Sequence, residues 1–349
     1  MSISTNDFKL GITRVLTDAF ASSTVSENPK VIYIVSGQGG GKTSVIRHKK
    51  NELKEDGVRA YVIDSDKIAE YHPYYDELIF SELPDNVYKI TRSEFVRPAE
   101  PLIYGELMKS RITVIKEAVF NKGESDYRQV RTFRENGYGT EINAIATDLL
   151  ESRLSCYERE AAMLLAGLPP RGSTSRAKHL ELHNSFVGEI GQMQKMGLCD
   201  VINVYVRGEN INRPPILKYS TTSKTNKYQN FKEAIITERK LQREALLANP
   251  TAYLVRIENA KKIIKDNDVN PELTANELKG LEELQQEFIA ELGKKLIWIQ
   301  ENMSKILQCV TEYVKIINIM FQRRNMYAKK VGSLFRRKES VLFWAEAHE

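Results

Sequence analysis

The chain has 349 residues, enough for one α/β domain of about 200 residues and a second unit of about 100. Hydrophobic residues make up 42% and charged residues 28%, the balance of an ordinary soluble globular protein, and a net charge of +5 makes no case by itself for a nucleic-acid partner. Cys156, Cys199 and Cys309 lie far apart, with no C-x-x-C pair and no even framework, which argues against a disulfide scaffold or structural zinc and suits a reduced, cytoplasmic setting. The first residues lack the basic and apolar stretches of a signal peptide, and no apolar run approaches the roughly 18 residues that span a bilayer.

A short N-terminal segment, 1–29, reads as helical. Five short β-branched runs follow as strands: Val31–Val35, Ala60–Ile63, Ala118–Phe120, Ile142–Thr147 and Val201–Val206. Candidate helices over 42–54, 100–117, 126–136, 149–166 and 178–197 separate them. Such alternation predicts right-handed β-α-β units, and so an α/β fold with a mostly parallel five-stranded sheet covered on both faces. The polar stretch from Ser220 to Lys227 reads as a linker. Beyond it the periodicity turns helical over 231–247, 250–265, 271–299 and 303–335, broken at Asn249-Pro250 and at Asp266–Pro271. The expected organisation is a core domain over 30–220 and an all-α extension over 221–349. Ile297, Ile299, Met303, Ile306, Leu307, Val310, Val314 and Ile317 form a helical stripe, most simply the core of a hairpin or bundle.

The strongest local signal is Ser36-Gly37-Gln38-Gly39-Gly40-Gly41-Lys42-Thr43-Ser44, directly after the first strand and opening a basic helix. Glycines let the backbone curl so that successive N–H groups point at one anion, and the helix adds its positive end. This loop, Gly37 to Ser44, is the expected site for ATP. Lys42 is placed to reach the β- and γ-phosphates and Thr43 to hold Mg²⁺. One position departs from the usual pattern, with Ser36 where a glycine commonly stands. A chance glycine-rich turn is the plain alternative, but strand, glycines, Lys-Thr and helix arrive in the order that the mechanism needs.

Strand ends are where a parallel sheet binds ligands. The second strand ends in Asp64-Ser65-Asp66, and two carboxylates two apart point the same way. Asp66 could accept a hydroxyl proton or hold a metal. It could equally cap the helix that starts near Lys67. His48, His72, His179 and His183 show no metal-ligand spacing and read as surface or packing residues.

Gly39-Gly40-Gly41-Lys42-Thr43-Ser44, Ile63-Asp64-Ser65-Asp66 and His72-Pro73-Tyr74-Tyr75-Asp76-Glu77-Leu78 together resemble the zeta toxin family, the kinase toxins of bacterial toxin–antitoxin systems. Glu106 with Ser110-Arg111, Gly137-Tyr138-Gly139-Thr140, Glu158-Arg159, Arg176 ahead of His183, and Gly197-Leu198 continue the likeness over about residues 30 to 220. The resemblance implies transfer of the ATP γ-phosphate to UDP-N-acetylglucosamine, which blocks cell-wall precursor synthesis, and a small helical antitoxin as partner. It also implies that Asp66 is the base, that Glu106 binds the sugar nucleotide and that Arg159 and Arg176 bracket the transferring phosphate. Planar guanidinium groups suit the charge spread over the equatorial oxygens in such a transfer. Arg171, in the run Pro169-Pro170-Arg171-Gly172-Ser173, is a rival for the role of Arg176.

The chain departs from the family after the third strand. An acidic segment is expected there to contact substrate, but Phe120-Asn121-Lys122-Gly123-Glu124 places a basic residue at that point. Two other readings therefore stay open. One is a P-loop kinase of a nucleoside, antibiotic or dinucleotide. The other is a P-loop ATPase whose tail binds nucleic acid or a partner through Arg323-Arg324, Lys329-Lys330 and Arg336-Arg337-Lys338. The extension itself is read as a self-packed platform, an oligomer interface or a built-in inhibitor.

Overall fold

A computed structural model describes residues 3–345 apart from 83, 169–171, 209–212 and 269; the side chains of 84–85 and of most residues beyond 304 are likewise left aside. Arg171 and the side chains of the basic cluster at 323–338 thus lie outside the described residues. The elements are α1 (Thr5–Ser22), β1 (Lys30–Val35), α2 (Lys42–Glu55), β2 (Tyr61–Ile63), α3 (Ser65–Ala69), α4 (Tyr75–Ser81) and α5 (Pro84–Thr91). A π-helical turn (Arg92–Val96) leads into α6 (Arg97–Lys109), followed by β3 (Val114–Ala118), α7 (Glu124–Glu135), β4 (Gly139–Ile145), α8 (Leu149–Leu165) and α9 (Arg176–Lys195). Then come β5 (Val201–Val206), β6 (Ile216–Ser220), α10 (Phe231–Ala248), α11 (Pro250–Asp266) and α12 (Pro271–Ala345).

The strands form one six-stranded sheet in the order β2-β3-β1-β4-β5-β6. The first five run parallel, and β6 pairs antiparallel to β5 at the edge. The fold class is thus the expected one, with an added sixth strand. β1 is buried on both faces, as a central parallel strand must be. Its alternating residues serve two cores. Val31, Tyr33 and Val35 face the larger cluster, with α1, α6 and α9, while Ile32 and Ile34 pack with Val45, Ile46 and Leu53 of α2. Because β3 and β4 flank β1 and the chain leaves β1 toward one and returns to the other, the crevice at the carboxyl end of β1 is the switch point where ligands sit in such sheets.

The third strand is not at Ala118–Phe120, where the sequence places it, but at Val114–Ala118. The preceding helix ends at Lys109, and Arg111 takes a left-handed turn (φ 50°) into the strand. The strand carries Lys116 and Glu117, whose charges mimic the tail of a helix. Lys116 is tolerated because its ammonium donates to the Tyr104 hydroxyl at 2.6 Å.

The chain falls into two compact units, Met1–Phe288 and Ile289–Glu349. The first runs well past the polar stretch at 220–227. Leu150, Leu154, Tyr157 and Ala161 of α8 form a separate cluster with Tyr253, Ile257, Ala260 and Ile264 of α11 and Leu281, Leu284 and Phe288 of α12. The rings of Tyr253 and Phe288 lie 4.4 Å apart. These helices complete the burial of α8, which in turn supports the glycine-rich loop. Ile257→Ala, at a fully buried position, is therefore expected to cost about 2–5 kcal/mol. Denaturant unfolding should show one shifted transition; a separate early transition for the added helices would contradict this.

Candidate functional site

The glycine-rich loop leaves β1 at Ser36 and enters α2 at Lys42. Gly39 (φ 63°) and Gly41 (φ 93°) occupy the left-handed region, and a Cβ on Gly39 would lie 2.1 Å from the Ser152 carbonyl. Ser36, the departure from the usual pattern, is buried and donates to the Gly37 carbonyl at 2.8 Å. Its hydroxyl fills the place that a Cβ on Gly40 would need, while a Cβ on Gly41 would meet Arg207, so each of the three successive glycines is required for its own steric reason. No side chain caps the first turn of α2. The positive end of that helix is left for an anion.

The loop's own carbonyls are held by donors from outside it. Thr147 donates to the Gly40 carbonyl at 2.8 Å and Ser152 to the Gln38 carbonyl at 2.5 Å. Arg207, just after β5, donates to the Gly39 carbonyl and to Ser155 Oγ at 2.7 Å, and pairs with Glu151 at 3.3 Å. Arg256 of α11 then clamps Glu151 and Glu158 through four contacts of 2.7–2.8 Å. A continuous chain of charge-assisted bonds thus joins α11 to the loop. Sequence reading missed Arg207 and Arg256, because nothing local marks an arginine whose partners lie 52 to 168 residues away.

Lys42 Nζ rests 3.3 Å from the Gly37 carbonyl. Burial lowers its pKa, opposed first by the nearby Glu117 carboxylate, with Asp66 also pulling upward and Arg159 pushing down. Glu117 mirrors it: burial raises its pKa, Lys42 lowers it, and Asp64 and Asp66 raise it again. Lys42, Glu117, Asp64, Asp66 and Arg159 therefore feel one another across the ends of β1, β2 and β3 and the face of α8. Glu117 is the acid at the carboxyl end of β3. Lys122, which had stood in the place expected of a carboxylate, lies instead in the turn beyond, its N–H bonded to Asp126 at 2.7 Å.

Asp64 is the N-cap of α3 and accepts the Asp66 N–H at 2.9 Å. The capping role thus belongs to Asp64, and Asp66 sits inside the first turn. Glu106 pairs with its neighbour Lys109 at 2.7 Å on an exposed stretch of α6. Two turns earlier on the same helix, Glu100 accepts Ser65 Oγ at 2.6 Å, right beside Asp66. Thr43 is exposed at the head of α2, with Ser44 partly covered.

Arg159 reaches Glu160 at 3.1 Å and stays half exposed. Arg176 opens α9 and pairs with Glu287 of α12 at 3.0 Å, sharing that carboxylate with the buried Arg153 at 2.6 Å. The segment between α8 and α9 is tied to the same neighbours: Gly172 N–H donates to Glu160 at 3.1 Å and Ser173 N–H to Glu277 at 2.6 Å.

His179 and His183 are both buried on α9 behind the loop; His179 Nε2 lies 3.0 Å from Ser152 Oγ, and the His183 backbone abuts Gly37. Burial, helped by Arg153 and Lys42, brings His179 down to about 4; burial and Arg239 bring His183 to about 3. Both are neutral at pH 7. Below pH 6.5 the unfolded chain takes up protons that the folded state refuses, so stability falls as pH drops, by roughly 3 kcal/mol for His179 by pH 4. Melting temperatures measured between pH 7 and 4 should decline, with a shallower slope in His179→Asn. An unchanged slope would mean that the histidine is not held neutral.

A family model described as Zeta toxin matches residues 13–213, more than half of the chain. Toxin PezT of Streptococcus pneumoniae serotype 4 is 23% identical over 202 residues, which is 58% of this chain and 78% of PezT. Toxin zeta of Streptococcus pyogenes is 24% identical over 259 residues, 74% of this chain and 84% of the relative. The solved structure of the PezAT chromosomal toxin–antitoxin system of Streptococcus pneumoniae shares the fold, with a TM-score of 0.57 at 19% identity over 74% of this chain and 98% of that one. A glycine-rich loop that opens a helix at the switch point, acids at the neighbouring strand ends whose charges act on its lysine, and a family match across that whole region lead to one conclusion: the chain belongs to the zeta toxin family of kinase-type toxins.

Proposed function

We propose that the protein is an ATP-dependent kinase that phosphorylates a hydroxyl of a UDP-activated amino sugar resembling UDP-N-acetylglucosamine, in the cytoplasm, and so stops cell-wall precursor synthesis. The observation that carries this reading is the mutual field of Lys42, Asp66 and Glu117 at the carboxyl ends of the strands. A carboxylate beside the phosphate lysine supplies the base that transfer to an alcohol uses, and the family match favours that role over holding the metal or activating water.

In this reading the loop N–H groups and the head of α2 hold the ATP phosphates. Asp66 takes the proton of the acceptor hydroxyl as its oxygen bonds to the γ-phosphorus, and the bond to the β-phosphate oxygen breaks to release ADP. Lys42 follows the charge that gathers on the γ-oxygens. Glu117 and Glu100 line the acceptor side, where carboxylates suit hydrogen bonds from sugar hydroxyls and amides. Glu106 would join them only by leaving Lys109.

The Thr43 hydroxyl with a carboxylate at the end of β2 is an oxygen donor set of the kind Mg²⁺ takes. When bound, the ion neutralises charge between the β- and γ-phosphates. Among the described residues no cluster of three or more His, Cys, Asp or Glu could hold a metal. No helix of the described residues is long and apolar enough to cross a membrane. A small helical antitoxin is the partner proposed to check the enzyme.

The test is mass spectrometry after incubation with ATP-Mg²⁺ and a panel of nucleotide sugars, nucleosides and aminoglycosides. A single added phosphate on a UDP-amino sugar is expected. Phosphate on another class would replace the substrate, and ADP release with no phosphorylated product would leave an ATPase.

Arg159→Ala and Arg176→Ala are each expected to lower kcat more than they raise the acceptor KM, because their charges matter most while the phosphoryl group is in flight. Arg176 must first exchange Glu287 for phosphate oxygens. A variant in which only KM changes would place that arginine in the acceptor pocket.

A further inference from the structure

Among the described residues, the second compact unit, Ile289–Glu349, holds the later part of α12 and no second element. A lone helix in water is expected to be polar. This one is not: Ile289, Leu296, Ile297, Trp298 and Met303 are all more than half exposed. Ile297 and Trp298 lie beside one repeat that is apolar throughout. Counting in sevens from Ile289, the first and fourth places are Ile289, Leu292, Leu296, Ile299, Met303, Ile306, Val310, Tyr313, Ile317 and Met320. Every one is apolar. The sixth place, on the opposite side of a heptad helix, reads Lys294, Glu301, Gln308, Lys315 and Gln322, and every one is polar.

A period of 3.5 sustained for more than four heptads has a specific physical meaning. A straight helix of 3.6 residues per turn drifts by about 20° per heptad, so such a seam stays on one side only if the helix winds around another. The occupant of the seam is therefore a helix with the same repeat. The other long helices of the extension do not qualify. α10 and α11 are 18 and 17 residues long, against a seam of about 32, and most of their apolar residues are packed elsewhere. Tyr253, Ile257, Ala260 and Ile264 pack on α8, while Phe231, Ala234 and Ile235 join the main core.

We infer that the seam 289–320 pairs with the same segment of a second copy of this chain as a coiled coil. Charge permits it. In a parallel, in-register pair the seventh-place residues meet fifth-place residues of the partner, which sets Lys295 against Gln300 and Asn302 against Leu307 with no like charges opposed. The first first-place charge is Arg324, where two copies would bring guanidinium groups together and the seam should end. Ten side chains from each copy, at about 60–120 Å² apiece, would remove on the order of 1,200–2,400 Å² from water, the range of a stable interface.

Light scattering of the full chain at tens of micromolar reads the result directly. The expected mass is about twice the 40.0 kDa of one chain. Ile299→Lys with Met303→Lys puts two charges into the seam and should return the mass to one chain, with phosphotransfer and helical circular dichroism of the first unit retained. Glu301→Lys with Gln308→Lys places lysines on the opposite face and should leave the dimer intact, which separates a seam effect from one of charge or misfolding. A wild-type chain of single mass, or a dimer that survives the seam substitutions, would overturn the inference. Neither outcome bears on the kinase reading, whose assay is independent.

Discussion

Lys42→Ala is expected to remove phosphotransfer while leaving the fold intact. The ammonium lies at the anion end of α2, held for now by the Gly37 carbonyl at 3.3 Å. Loss of one donor that follows transition-state charge typically costs about 10²–10³ in turnover, and this donor also binds the ground-state phosphates. Stability should move the other way. Burial holds the pKa of Lys42 below its ordinary value, so the folded state carries this proton less readily than the unfolded chain does, and the charged lysine costs stability at neutral pH. Lys42→Met, which keeps the stem and drops the charge, should raise the melting temperature of the unliganded protein and abolish the further rise produced by ATP. A variant with near-normal turnover would show that the loop is not the catalytic nucleotide site.

Asp66→Asn is expected to lower transfer by about 10²–10⁴, the usual contribution of a positioned base, with ATP affinity nearly unchanged. The amide keeps the shape and loses the basic lone pair. Asp64 provides the control, because it and not Asp66 accepts the N–H that caps α3. Asp64→Ala should therefore cost about 1 kcal/mol of stability with a smaller loss of turnover. Steady-state kinetics at saturating ATP, read beside thermal melts of both variants, separates the two carboxylates. If Asp66→Asn turned over normally and Asp64→Ala did not, the base would be Asp64.

Where structure was written in consecutive residues, sequence alone determined it. The apolar run Val31–Val35, the glycines, Lys42-Thr43 and the helix after them are a local unit: each residue's place follows from its neighbours, because a loop of eight residues closes on itself. The parallel sheet and the polar breaks at Asn249-Pro250 and Asp266–Pro271 were legible for the same reason. The third strand was not, since Lys116 and Glu117 gave a buried strand the look of a helix end, and only packing against Tyr104 explains why a charge is tolerated there. Tertiary structure alone decided which acids share the site. Glu117 and Glu100 come to Lys42 and Ser65 from separate elements, while Glu106, from the same helix as Glu100, turns to Lys109. It also decided the state of the arginines. Arg176 meets Glu287, 111 residues away, and Arg207 meets Gly39, 168 residues away. The first depends on how the helices after residue 220 pack on α8 and the second on where the sheet brings the end of β5, and no periodicity or spacing within either segment encodes the meeting.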